Sequence, residues 1–142
     1  MWSDTLQTLE RAHLTELAVW GAVSLAIGIA LLLPLLIRRA RAPLIAHFAL
    51  QCVLWGAIEL AWVLAARGQV PLRDYAAALR LAGNLWLVIE MAAAGVVIGA
   101  TLAWGGWAFG RRLALAGAGI GIVVQSTALL VLDFIFVRGI HL

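Results

Sequence analysis

Four carboxylates, Glu16, Glu59, Glu90 and Asp133, stand within or at the edge of long apolar runs of this 142-residue chain. An ionised side chain at a bilayer centre costs roughly 2.5–3.5 kcal/mol on insertion scales, so each of them requires a reason. Carboxylates gathered at one depth can bind a small cation or hold and pass a proton, because several negative groups away from water must be neutralised. Glu59 lies eight residues before Arg67, Glu90 ten after Arg80 and Asp133 five before Arg138. At about 1.5 Å per residue these positions fall roughly 12, 15 and 8 Å below one membrane face, and Glu16 enters from the same side. A candidate ion or proton site therefore comprises Glu59, Glu90, Asp133 and Glu16.

The polar residues around them supply possible partners. The run Trp20-Gly21-Ala22-Val23-Ser24-Leu25-Ala26 is nearly repeated as Trp55-Gly56-Ala57-Ile58-Glu59-Leu60-Ala61, and only the later copy carries a charge. Counting from the arginines between the copies puts Trp20 level with Glu59, and Ser24 level with Trp55. An indole N–H has no acceptor in lipid, so a Trp20 to Glu59 hydrogen bond is expected, with Ser24 to Trp55 beside it. On the second helix His47, Gln51, Trp55, Glu59 and Trp62 share an arc expected to point inward, leaving Leu54, Ile58 and Val63 to lipid. On the third, Trp86, Glu90, Ala93, Val97 and Thr101 share a face, with Asn84 at the same end. On the fourth, Ser126 and Asp133 share a line with Gln125 beside it. These stripes are expected to converge on one polar core. In a purely structural alternative Asp133 pairs with Arg138, Glu90 with an arginine of the loop before it, and a protonated Glu59 with Trp20. His13 and Glu16, three apart, have the spacing by which helical bundles hold metals, with His141 as a further weak candidate. His47 reads as an interfacial histidine beside Arg41. No nucleophile and base set, phosphate loop or zinc signature is present, so the chain reads as a non-enzyme with no cofactor.

Composition dictates what must position these groups. A chain that is 65% hydrophobic and 12% charged, with a mean hydropathy of +1.04, has too little polar surface to cover a water-soluble globule. Its ten basic residues are all arginine and cluster at the ends of apolar runs, where they act as topology signals and headgroup contacts rather than as a nucleic-acid surface. The lone Cys52 excludes an intrachain disulfide and reads as a small buried side chain. Asp4 and Glu10 make the start acidic, unlike a removable signal, so the N-terminus is expected to be kept.

The expected fold is an all-α membrane protein, a single antiparallel bundle of four transmembrane helices spanning residues 14–37, 44–66, 81–104 and 113–137. An amphipathic extension over residues 4–13, capped by Ser3, leads into the first span. Pro43 and Pro71 are expected to open the second and third helices. Gly95 with Gly99, and Gly117 with Gly119 and Gly121, mark close helix contacts, within the bundle or across a dimer. Arginine counts on the two sides tie, and the denser Arg38–Arg41 and Arg111–Arg112 loops favour both termini in the periplasm.

Trp55-Gly56 with Glu59, Asn84 with Glu90, and Gly117, Gly119 and Gly121 leading to Gln125 and Asp133 resemble the pattern of an uncharacterised bacterial family of small four-helix integral membrane proteins with no assigned function. The resemblance runs from Trp20 to Asp133, with Ser126 where that pattern has glycine. It implies the four-helix fold and no activity. The functional expectation is thus a bacterial inner-membrane protein whose carboxylate-lined core binds or conducts a small cation or proton. Alternatives are an accessory subunit of a larger membrane complex and a membrane metalloenzyme. The partners expected are the lipid bilayer and a second copy or another membrane subunit.

Overall fold

A computed structural model describes residues 2–140, of which all but short turns are helical. The helices are α1 (Trp2–Ile37), α2 (Pro43–Arg67), α3 (Tyr75–Ala108) and α4 (Leu113–Gly139). Each is long and apolar enough to cross a membrane, as befits a multi-pass membrane protein.

The helix starts follow local chemistry. Pro43 sits in the first turn of α2, where its missing N–H is no loss. Pro71 does not open α3, contrary to the expectation above. Asp74 does so, its carboxylate accepting a hydrogen bond from the Ala77 N–H at 2.7 Å. An aspartate at this place satisfies an orphan donor that a proline cannot, so the helix begins after it. Ser3 likewise lies inside α1 rather than capping it, and α1 runs unbroken from the expected lead-in through the first span. Pro34 stands in the last turn of α1, where its missing N–H leaves the Ala30 carbonyl without its usual helical donor.

Packing is uneven. α4 lies against α2 and α3 and touches α1 less, α1 packs along α2, and α3 packs along α4 alone. Glycines make these contacts close. The repeated motif brings Gly56 onto Gly21, so that a Cβ at Gly56 would sit 2.6 Å from the Gly21 carbonyl oxygen. Within α4, Gly117 and Gly121 lie against Leu44 and Gln51 of α2, whereas Gly119 lies against Gly99 and Ala103 of α3. The alternating Gly-Ala-Gly-Ile-Gly run thus serves two neighbours on opposite flanks, and the small-residue stripes pack inside the chain.

The inward faces differ from two of the expected stripes. On α2 the buried line is Ala49, Cys52, Gly56, Glu59 and Val63, while His47 and Trp62 turn outward with Leu54 and Ile58. On α3 the buried line is Ala78, Leu85, Ile89, Ala92, Gly99 and Gly106. The face shared by Trp86, Glu90, Ala93, Val97 and Thr101 points outward. Small residues, not polar ones, set both orientations, because close backbone approach supplies the van der Waals contact that drives helix association in lipid.

Candidate functional site

The polar interior forms where α1, α2 and α4 meet. α1 contributes His13, Trp20 and Ser24, α2 contributes Glu59, and α4 contributes Gln125 and Asp133. His13, Ser24, Glu59, Gln125, Ser126 and Asp133 are all buried.

The deeper half is a closed hydrogen-bond group. Gln125 is almost wholly buried; its Oε1 accepts from the Trp20 indole at 3.0 Å, and its Nε2 donates to the Ser24 hydroxyl at 3.2 Å. The expected Trp20 to Glu59 and Ser24 to Trp55 bonds are therefore replaced. A primary amide both donates and accepts, so Gln125 takes the indole N–H on its oxygen and gives its own N–H to the Ser24 hydroxyl. Trp55 instead donates to Gln51 of its own helix at 3.2 Å, one turn away. Ser126 faces Gly95 of α3.

The other half, nearer the N-terminus of α1, is not closed. His13 Nε2 lies 3.0 Å from Asp133 Oδ1, and its ring stacks on Phe136 with centroids 4.4 Å apart. Asp133 thus pairs with His13 rather than Arg138, whose guanidinium lies 5.7 Å from the Phe134 ring centre. The contact puts the shared hydrogen on Nε2 when the ring is neutral, leaving Nδ1 as a free acceptor. Among the described residues, neither His13 Nδ1 nor either oxygen of Glu59 has a hydrogen-bond partner, although all three atoms are buried. Glu59 stands deeper than this pair, its side chain against Gly21 of α1. Unpaired buried polar atoms are uncommon and costly, and here three of them accompany a carboxylate and imidazole pair.

Glu16, Glu90 and Asn84 do not join this group. Glu16 is exposed on the rim of an apolar groove of about 800 Å³ between α1 and α4. Glu90 and Asn84 stand on the outward surface of α3. Because α3 packs only on α4, its opposite face is uncovered whatever residues it carries. Among the described residues no three His, Cys, Asp or Glu side chains gather as a metal-holding group, so the His13 and Glu16 spacing is not completed by a further ligand. His141 lies outside the described residues.

What the sequence reading missed was His13 as Asp133's partner and Gln125 as the acceptor for Trp20. The signal for the first was available: His13 lies 11 residues into α1 and Asp133 six before the end of α4, at the same membrane face.

Comparison with known protein families, with curated proteins and with solved structures finds no match, so the resemblance noted above gains no support from it.

Proposed function

We propose that this chain is a multi-pass membrane protein whose buried His13, Glu59 and Asp133 bind or pass a proton or a small monovalent cation. The observation that carries this reading is the set of unpaired buried atoms on Glu59 and His13 beside the His13 and Asp133 contact. Two carboxylates away from water are held together at least cost when a proton or cation neutralises them. His13, with Nε2 committed to Asp133, keeps Nδ1 for a second proton, and Glu59 stands deeper in the same polar interior, against Gly21 of α1. The helices run up and down in an antiparallel bundle with both termini in the periplasm of a bacterial inner membrane. Gly21 against Gly56 and Gly28 against Ala49, with numbering rising on α1 and falling on α2, support that arrangement.

The test is infrared difference spectroscopy of the full chain in liposomes across a pH jump. A protonated-carboxyl band that disappears in Glu59→Gln and persists in Glu90→Gln supports the site. A band unchanged in Glu59→Gln, or its absence from the unaltered protein, overturns it. Suppression of the band by added sodium would assign the site to a cation.

A second reading, an accessory subunit or self-associating protein, is favoured by one observation. Glu90 stands on the surface of α3 that no other helix of the chain covers, where a carboxylate facing lipid is expensive and a partner helix would shelter it.

A further inference from the structure

At the end of the helices opposite the Glu59 site, α2 and α4 both begin beside one cleft of about 650 Å³, lined by His47, Arg111 and Arg112 above Leu113, Ala114 and Ala118. Among the described residues no carboxylate pairs with either arginine. None is near in sequence either, since the chain has no acid between Glu16 and Glu59 or between Glu90 and Asp133. The loop holds Arg111 at φ 50 directly after Gly110 at φ 80. A left-handed backbone is disfavoured for a residue with a Cβ, so the turn places this guanidinium at a conformational cost. His47 Nδ1 lies 2.9 Å from the Pro43 carbonyl oxygen, which must accept, so the ring's Nε2 is left for another group. Neither Ala42 nor Arg112 caps its helix with a side chain, so both helix starts add partial positive charge at this end.

We propose that this cleft binds the phosphodiester headgroup of an anionic glycerophospholipid. Arg111 and Arg112 take the phosphate oxygens, as guanidinium forks do, and His47 Nε2, left as an acceptor, can take a headgroup hydroxyl. Leu113, Ala114 and Ala118 continue the cleft as an apolar floor for the start of the acyl chains. The inference rests on the membrane reading of the four helices and is independent of the Glu59 site. It commits to lipid over soluble phosphate because the floor below the charges is apolar and would lie within the headgroup layer.

The test is native mass spectrometry of the full chain in a neutral detergent, titrated with phosphatidylglycerol and with phosphatidylcholine of the same acyl chains. Phosphatidylglycerol is expected to bind at least tenfold more tightly. Arg111→Gln with Arg112→Gln should weaken it about 30-fold, the effect of two charges near a headgroup. Arg67→Gln with Arg80→Gln, at the opposite end, should leave it unchanged. Arg111→Lys with Arg112→Lys should retain most of the binding, which guards against a misfolded double variant. Equal binding of the two lipids, equal loss from the Arg67 and Arg80 variant, or displacement by glycerol 3-phosphate would each overturn the proposal. The lipid comparison on the unaltered protein decides it even if every variant fails to fold.

Discussion

Glu59 and Glu90 are the same residue type at nearly the same depth, yet they meet opposite surroundings. Glu59 is on the line of α2 that packs against Gly21 of α1, and it is buried with both oxygens unpaired. Glu90 is one residue beyond the buried Ile89 of α3 and faces outward. The difference comes from neighbours rather than from local sequence: α2 is flanked by α1 and α4, whereas α3 has α4 alone. A carboxylate between three helices can be part of a site, and one on a single-sided helix is either a burden in lipid or a contact for something else.

The largest expected effect tests that burden. Glu90→Leu should favour membrane insertion of the third span by about 3 kcal/mol, read from the inserted fraction of that segment in a translocation assay. If insertion is unchanged while the full chain loses self-association, Glu90 serves a partner and the contrast with Glu59 narrows.

Next, two glycines probe the two environments. A Cβ at Gly56 would strike the backbone of Gly21 and Leu25 at 2.6 and 2.7 Å, whereas at Gly83 on α3 it meets nothing within 4 Å. Gly56→Ala should cost about 1–3 kcal/mol in a detergent unfolding titration, and Gly83→Ala should add about 0.5–1 kcal/mol through helix propensity. Similar shifts for both would mean that the α1 and α2 contact does not shelter Glu59.

A smaller effect separates the closed half of the interior from the open half. Gln125→Leu leaves the Trp20 indole and Ser24 hydroxyl without this partner and should cost about 1 kcal/mol, near the upper range of interhelical bonds measured in membranes. Combining it with Trp20→Phe should cost less than the two changes added, because they remove one bond. Strict additivity would dissolve the hydrogen-bond group.

The smallest effect lies outside the spans, where Arg73 makes a two-point contact with Glu10 at 2.6 and 3.0 Å and Gln7 donates to the Val70 carbonyl. The bond to Glu10 pushes the Arg73 guanidinium above its ordinary value. A raised folded value means that this group's contribution is present below the unfolded value and lost only as pH climbs through the raised one. The Arg73 side of the latch should therefore be insensitive to pH between neutrality and pH ~10. Glu10→Gln should cost about 0.5 kcal/mol, less in high salt. A larger loss would mean that the latch, rather than glycine packing, orients α1 against the other helices.

Much of this was legible in the residues. The helix count, the depth of Glu59, Glu90 and Asp133, and the buried line of Gln125, Ser126 and Asp133 on α4 follow from composition and counting. Depth is a sum along one chain, with each residue adding the same rise, so an error of one residue moves a group little. The face a residue presents is another matter, since one position turns it by about 100°, and which face is inward depends on how many neighbours a helix has and where they lie. That is why Trp20 found Gln125 instead of Glu59, why Val63 went in and Trp62 out, and why Glu90 was left on the surface. The sequence by itself determined a membrane-crossing four-helix chain with acids at one end and unpaired arginines at the other. Only the tertiary structure decided that Asp133 meets a histidine while Glu59 is buried against Gly21, because small residues at the α1, α2 and α4 contacts, not the polar groups, set the rotation of each helix.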